Sequence, residues 1–246
     1  MRLKREFFQR PTLKVAKDLL GKFLIRRWRD KFLIGRIVET EAYVGPIDRA
    51  SHAYSPRGQS LKEKLNILEK NWPRIKNYVS SQNKFVKNIL AGETKVTDRN
   101  LAEYLRGGHI YIYLVYGLHY QLNITTARTG RPECVLIRAL EPILNLSQTN
   151  GPGKLCRELR LNRFFWAEDL TASKRIWLTR ILPGKIKSTQ AKNYLQSQKK
   201  GNGLLKTFVR RNDIVRAKRI GIDYAGEDRN LLWRFYLKDN QFVSRK

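Results

Sequence analysis

The sequence predicts a single domain of the α+β class, built on a mostly antiparallel β-sheet. Strand-like segments follow one another across short links, at 22–28 with 32–43 and within 109–126, and such pairs form hairpins. Helical patterns at 11–21 and 59–95 add flanking helices. The chain of 246 residues shows no internal repeat and no clear domain boundary, so one domain is expected over its full length.

The first element is a helix that begins near Pro11 and ends near Gly21. Two apolar runs follow, at 22–28 and 32–43, and they predict strands joined by a short polar link. Residues 44–58 contain two prolines and two glycines, which predicts an ordered loop. The helix is expected to present four apolar side chains on one face: Leu13, Ala16, Leu19 and Leu20.

Residues 59–95 predict a helical pair, whose first helix carries an apolar stripe of Leu61, Leu65 and Leu68. The run 109–126 is the strongest strand pattern in the chain, and the glycine at 117 marks a tight turn within a β-hairpin. The remaining expected elements are a strand at 134–142, a short helix at 151–161, a Lys-rich basic loop at 183–203 and two closing strands within 216–244.

The chain is strongly basic. Lys and Arg number 50 against 21 Asp and Glu, so the formal net charge is +29, and the pI is near 10.5. An excess of this size favours a polyanionic partner, with nucleic acid ahead of an anionic membrane surface. A cationic surface that serves only solubility is the alternative, and the size of the excess makes it the weaker one.

Two cysteines, Cys134 and Cys156, and three histidines show no metal-ligand spacing, which argues against a zinc site. Two isolated buried thiols are the preferred interpretation, and a disulfide stays open. The N-terminal residues lack the apolar core of a signal peptide, and the most apolar run, 110–118, is too short to span a membrane. We expect a cytoplasmic, nucleoid-associated protein if the source is bacterial and a nuclear one if it is eukaryotic.

Glu41, at the end of the second predicted strand, is the candidate catalytic residue. A glutamate there is ordinarily a solvated edge residue. Arg36 and Arg138, however, lie in neighbouring predicted strands and are placed to keep a carboxylate ionised. Tyr43 points to the same face as Glu41 because strand side chains alternate, and the following loop brings back His52. A carboxylate among aromatic rings can activate water beside a flat, stacked ligand.

The predicted hairpin is crowded with rings. Tyr111, Tyr113 and Tyr116 lie within six residues, with further aromatic residues nearby. A sheet core also favours aromatic residues, and that is the alternative interpretation. Packing is weakest near a turn, however, so rings beside Gly117 suit stacking on bases or insertion between them.

Eight stretches of the chain, beginning at residue 6, occur in the order of a known family and lie outside 59–95 and 183–203. They are EFFQRPTLKVAKDLLGKFL, GRIVETEAYVGPIDRASH, TDRN, YIYLVYGLHYQLNI, VLIRALEP, GPGKLC, RIGIDYAGE and WRFY. The sequence resembles the alkyladenine DNA glycosylase family, also called the mammalian-type 3-methyladenine DNA glycosylases. The patterns ETEAYxGPxDxASH and YxYxxYGxxYxxN are highly specific.

The resemblance implies residue roles. Glu41 would deprotonate the water that attacks the sugar C1′, and Arg138 would place that water and keep the glutamate ionised. Tyr116 would fill the gap left in the duplex, and Asn123 would screen out unmodified guanine. The base pocket would contain Tyr43, His52 and Tyr113, and the contacts to the DNA backbone would come from Thr97, Arg99 and Lys154.

The resemblance also implies a fold and an activity. The fold would be a curved antiparallel sheet with a protruding hairpin that intercalates into DNA. The activity would be excision of damaged purines from double-stranded DNA by a monomeric, monofunctional glycosylase that initiates base-excision repair. We expect no metal, no organic cofactor and no strand cleavage, since no lysine falls in the matched pocket motifs. The alternative is a non-catalytic nucleic-acid-binding protein on the same fold, which would gain nothing from an ionised Glu41 facing phosphates.

Three features depart from the family pattern. Gly58 and Thr97 are separated by 38 residues where the family has a short link, and Glu103 and Tyr104 replace its usual Met-Phe. The Lys-rich stretch 183–203 is longer than expected. Both insertions are basic, and they are either solvated extensions or sites of extra phosphate contact, which would steepen the salt dependence of DNA binding.

Overall fold

The computed structural model describes residues 1–79, 81–182 and 209–245. The basic loop expected at 183–203 lies wholly outside these ranges. Eight strands within them form one sheet in which every strand pairing is antiparallel. The prediction of a single α+β domain on a mostly antiparallel sheet is therefore confirmed.

The strands are β1 (Phe23–Trp28), β2 (Lys31–Val44), β3 (Ile110–Val115), β4 (His119–Thr125), β5 (Glu133–Leu144), β6 (Ile176–Thr179), β7 (Ile214–Ala217) and β8 (Arg234–Leu237). The helices are α1 (Arg5–Phe8), α2 (Thr12–Leu19), α3 (Leu61–Ile75), α4 (Gln82–Leu90) and α5 (Pro152–Glu158). The sequence analysis missed β6, which has only four residues. No helix in the described part of the chain is long and apolar enough to cross a membrane.

Strand β2 is the centre of the sheet, whose main order is β3-β4-β5-β2-β1-β6. Strand β5 runs along one side of β2, while β1 and then β8 share the other side. The register with β5 shifts between Ile37 and Glu39 and again between Glu39 and Thr40. Such bulges bend a strand and re-aim its side chains. Consequently, residues Glu39, Thr40 and Glu41 of β2 lie between β5 on one side and β8 on the other.

Helix α2 covers one face of this sheet. Pro11 occupies the position before the helix, which begins at Thr12. The hydroxyl of Thr40 donates to the carbonyl of Ala16 at 2.9 Å and ties the helix to β2. Ala16 and Leu19 are buried as predicted, whereas Leu13 is only half-buried. Val15, rather than Leu13, is buried, because it lies four positions before Leu19 and on the same face of the helix.

Helices α3 and α4 form a second apolar cluster beside the sheet. The leucine stripe predicted for α3 was wrong, because Leu61 and Leu65 are 59% and 37% exposed while Leu68 is buried. The helix instead buries Lys64, whose ammonium group donates to carbonyl groups at the end of α4. The helices pack through Leu68, Ile75, Phe85 and Ile89 against a group that includes Leu101, Tyr104, Tyr111 and Cys134.

Candidate active site

Arg138, on β5, lies between two glutamates of β2. Its Nε is 3.2 Å from Oε1 of Glu39, and its Nη1 is 3.3 Å from Oε1 of Glu41. Glu39 also accepts hydrogen bonds from Nη1 of Arg234 at 3.0 Å and from the backbone amide of Ser244 at 2.6 Å. Glu39 thus joins the C-terminal segment to the sheet, while Glu41 faces a different set of groups.

Glu41 is fully buried and accepts hydrogen bonds on both oxygens. Its Oε1 accepts from the amide of Ile220 at 2.8 Å, and its Oε2 accepts from the Tyr43 hydroxyl at 2.9 Å. Burial raises the pKa of the Glu41 carboxyl above its ordinary value, while Arg138 and the two hydrogen bonds oppose that rise. A fixed carboxylate whose pKa is shifted towards neutrality is suited to act as a general base.

Arg36, which the sequence analysis expected beside Glu41, forms an ion pair with another glutamate. Its Nη1 pairs with Oε2 of Glu141, its cross-strand neighbour on β5, at 3.0 Å. Arg36 precedes the register shifts of β2, whereas Glu41 follows them. The expectation placed Arg36 on a strand beside that of Glu41, whereas both residues lie on β2, five positions apart.

Tyr43 and Arg138 line a cavity of about 540 Å³, a volume within the roughly 300–1,000 Å³ range of small-molecule sites. The ring centroids of His52 and Tyr113 are 4.8 Å apart, and those of Tyr111 and Tyr113 are 5.0 Å apart. A cavity walled by closely spaced rings suits a flat aromatic ligand. Its aromatic lining consists of Tyr43, His52, Tyr111, Tyr113, Tyr116 and Tyr224.

His52 enters this wall in its neutral form. Its Nδ1 is 2.6 Å from the hydroxyl of Tyr111, which fixes the imidazole ring. Burial, together with the charges of Arg99 and Lys95, lowers the pKa of His52 to about 4. A neutral imidazole has one donor and one acceptor nitrogen, so His52 can hydrogen-bond a ligand without repelling a cationic one.

A buried ion pair holds the loop that carries His52. The carboxylate oxygens of Asp48 lie 2.5 and 2.8 Å from Nη1 and Nη2 of Arg219, and both side chains are fully buried. Arg219 precedes Ile220, whose amide binds Glu41. One segment between β7 and β8 therefore fixes both the loop and the carboxylate.

Strands β3 and β4 form the hairpin that the sequence predicts, with Val115 opposite His119. The amide of Leu118 donates to the carbonyl of Val115 at 3.1 Å and closes a turn. Both central residues have positive φ, 51° at Tyr116 and 68° at Gly117. Glycine adopts this conformation freely, but a tyrosine there is strained. The Tyr116 side chain is 92% exposed at this tip, so packing does not explain the strain.

Asn123, on β4, is buried and lines the cavity. Its Nδ2 donates to the backbone carbonyl of Gln121 at 3.4 Å. The thiol of Cys134 lies 3.8 Å from Oδ1 of Asn123 and donates at 3.2 Å to Oε1 of Glu103, which lines the same cavity. The cavity lining thus contains a carboxyl group, that of Glu103, near Asn123.

The three residues expected at the DNA backbone lie in different places: one lines the cavity and two do not. Of these, Arg99 lines the cavity, and its guanidinium lies 5.8 Å from the centroid of the Tyr113 ring. Thr97 hydrogen-bonds Asn100 and starts the turn that follows. Lys154 is exposed near the start of α5, with its ammonium group 3.2 Å from Oδ1 of Asn150.

Comparison with known proteins decides the family. The sequence profile of the methylpurine-DNA glycosylase (MPG) family matches residues 6–93 and 78–241. The chain belongs to this family. A protein of Natranaerobius thermophilus named "Putative 3-methyladenine DNA glycosylase" is 35% identical over 259 residues, covering 99% of both chains. Proteins of the same name from Borreliella burgdorferi and Clostridium novyi are 36% and 32% identical, and each alignment covers at least 98% of both chains.

Sequence reasoning missed several residues that build this candidate site. Arg219 and Ile220 lie in a matched stretch, RIGIDYAGE, but no residue pattern indicates that a backbone amide would bind Glu41. Tyr224, in the same stretch, closes one side of the cavity and donates its hydroxyl to the carbonyl of Ala50 at 3.2 Å. Glu103 was noticed only as a departure from the family pattern.

Proposed function

We propose that this protein, a member of the methylpurine-DNA glycosylase family, excises alkylated and deaminated purines from duplex DNA by hydrolysing the N-glycosidic bond. The observation that carries the proposal is the position of Glu41, fixed by Arg138, Tyr43 and the Ile220 amide beside an aromatic cavity. The substrate class comprises 3-methyladenine, 7-methylguanine, hypoxanthine and ethenoadenine. The protein acts as a monomer and initiates base-excision repair.

The damaged nucleotide must first leave the base stack, because the glycosidic bond is not accessible inside a duplex. Extrusion costs a few kcal/mol, and least for a mispaired or damaged base. Tyr116, exposed at the tip of the β3–β4 hairpin, fills the vacated space and offsets part of that cost. The net charge of +29 supplies the attraction to the phosphate backbone, and Arg99 and Lys154 contribute to it. Thr97, which is uncharged, contacts the backbone as a polar side chain.

The extruded base then stacks among Tyr43, His52 and Tyr113. A purine alkylated on a ring nitrogen is cationic, and a cation over a tyrosine ring gains about 0.5–2 kcal/mol. The neutral state of His52 supports such binding, because burial holds its pKa near 4. Asn123, buried in the same cavity, excludes the exocyclic amino group of unmodified guanine.

Glu41 then accepts a proton from the water that attacks C1′. Arg138 positions this water and favours the ionised form of Glu41, which burial alone would disfavour. Among the described residues that line the cavity, none is a lysine. The nucleophile is therefore water and not an amine, so the product is an abasic site with an intact strand.

A non-catalytic nucleic-acid-binding protein on the same fold is the second candidate. A buried carboxylate costs desolvation energy and repels phosphate, so it has no use in a protein that only binds DNA. The three hydrogen-bonding or charged partners of Glu41 keep this costly group at one fixed position, which favours the enzyme.

The test is single-turnover release of base from duplexes that each contain one 7-methylguanine, ethenoadenine or hypoxanthine. Wild type and Glu41→Gln are compared, with Glu227→Gln as a matched control on the surface. Wild type and the control should leave abasic sites. Glu41→Gln should bind the duplexes but release base about 10²- to 10⁴-fold more slowly, the usual contribution of a general base. Binding without release by wild type on every duplex would support the second candidate.

A further inference from the structure

Glu103 lies in the 3₁₀ turn Leu101–Tyr104, where α3 and α4 pack against the sheet. Its side chain is 2% exposed and lines the base cavity. Oε1 accepts the hydrogen bond from the Cys134 thiol, but Oε2 is buried without a hydrogen-bond partner among the described residues. A buried polar atom without a partner is costly, and its presence beside a ligand cavity indicates that the ligand supplies the partner.

Glu103 and Glu41 have different electrostatic surroundings. Glu41 has Arg138 at 3.3 Å, whereas Glu103 has a weak thiol donor as its hydrogen-bond partner. Burial raises the pKa of the Glu103 carboxyl to about 8, so this group is protonated at neutral pH. The titratable groups that interact with Glu103 are Cys134 on β5, Asp48 in the loop after β2, Tyr111 and Tyr113 on β3, and the adjacent Tyr104.

We propose that Glu103 is the general acid for neutral purines: its Oε2 donates a proton to the departing base while Glu41 takes one from the attacking water. This inference rests on the proposed function. Enzymes that cleave glycosides commonly use two carboxyl groups in these complementary roles. The structure assigns the roles by environment, because the cation lies beside Glu41 and the unpartnered oxygen belongs to Glu103.

The step balances in atoms and charge. The bond between C1′ and the purine nitrogen breaks, and its electron pair goes to the base, which takes the proton from Glu103. Water forms the new bond to C1′ and gives its proton to Glu41. Solvent then returns one proton to Glu103 and removes one from Glu41, so the net reaction consumes one water.

The acid matters only for some substrates. Hypoxanthine and ethenoadenine are neutral in DNA and leave poorly as anions, so protonation lowers their barrier. A 7-methylguanine already carries a positive charge and leaves as a neutral molecule. Loss of Glu103 should therefore affect the two classes of base unequally, and a purely structural role would not produce that difference.

The experiment measures single-turnover release of hypoxanthine and 7-methylguanine by wild type, Glu103→Gln and Glu103→Met, with Glu69→Gln on the exposed face of α3 as control. Both Glu103 variants should release hypoxanthine about 100-fold more slowly or worse, in keeping with a lost general acid, and 7-methylguanine less than about tenfold more slowly. The rate of hypoxanthine release by wild type should fall as pH rises through about 8, the pKa of Glu103. The rate of 7-methylguanine release should not fall over this pH range.

Thermal melts of the variants show whether they fold, and agreement between the glutamine and methionine variants guards against a defect of one substitution. Equal losses on both bases, no loss on either, or a wild type that releases 7-methylguanine but not hypoxanthine would each overturn the role of Glu103 while leaving the proposed glycosylase activity intact. A wild type that releases no base from any duplex would overturn both proposals.

Discussion

The hydroxyl of Tyr43 donates a hydrogen bond to Oε2 of Glu41 at 2.9 Å, across two positions of the same strand. Side chains two positions apart share a face of a strand, so β2 itself sets this contact. The ring of Tyr43 lines the base cavity and lies 4.9 Å from the guanidinium of Arg219. A single side chain therefore connects the surface on which a base can stack with the carboxylate proposed to activate water.

Replacing Tyr43 with phenylalanine should slow base release without abolishing it. The ring and its stacking surface remain, but Glu41 loses a donor that favours its charged form. The active form of Glu41 is the carboxylate, so release falls as pH drops through its pKa. Because Tyr43→Phe raises that pKa further, the acid limb should move to higher pH. A hydrogen bond to a charged group contributes about 1.5 kcal/mol. At pH values below the pKa of Glu41, its loss should therefore make release about tenfold slower than in wild type.

The measurement is a pH–rate profile of single-turnover 7-methylguanine release. Tyr236→Phe on β8 is the matched control, because Tyr236 is half-buried and does not line the cavity. A Tyr43→Phe profile that keeps its acid limb at the wild-type position would show that the hydroxyl does not tune Glu41.

The sequence was sufficient to identify much of the site, because short-range rules place some of its members. Strand alternation puts Tyr43 beside Glu41, and the glycine at 117 marks the turn that exposes Tyr116. Long-range contacts carried no comparable signal. The ion pair between Asp48 and Arg219 joins residues 171 positions apart, and only the fold brings them together.

The errors also have physical causes. Arg36 was assigned to Glu41 as a residue of a neighbouring strand, whereas both lie on β2 and Arg36 pairs with Glu141 on β5. The predicted leucine stripe of α3 was wrong because the helix buries Lys64, which donates hydrogen bonds to carbonyl groups at the end of α4. A pattern of hydrophobic residues does not indicate such a contact. Both errors arise where a local pattern competes with a specific tertiary contact.

Replacing Arg138 with glutamine should destabilise the protein as well as impair base release. Glu39 and Glu41 are fully buried and both face this guanidinium. Removing one partner of a buried charge pair costs about 3–5 kcal/mol. Denaturant unfolding should show a loss of that order. The control Arg131→Gln removes an exposed arginine 3.5 Å from Glu133 and should change stability by no more than about 1 kcal/mol. Equal effects of the two substitutions would contradict the buried network.

Replacing Tyr116 with alanine should weaken excision from duplex DNA more than from single strands. The ring is proposed to refill the stack, and a single strand leaves no such gap. Base stacking on an aromatic side chain contributes about 1–3 kcal/mol, so duplex excision should fall roughly 5- to 150-fold. Phe164→Ala removes another exposed ring, 69% accessible and outside the cavity, and serves as control. Equal losses on both forms of DNA would contradict a role in filling the gap.

Replacing Phe85 with alanine tests whether α4 supports the site. Phe85 is fully buried and packs in the cluster that contains Tyr111, which lines the cavity, and Tyr104, the neighbour of Glu103. Truncation of a buried phenylalanine costs about 3–5 kcal/mol. Denaturant unfolding should show that loss, whereas Leu61→Ala, at a side chain 59% exposed, should be near neutral. If both variants are neutral, the segment 59–95 is a dispensable surface extension. A large loss at Phe85 alone makes α4 part of the structural support for the base pocket.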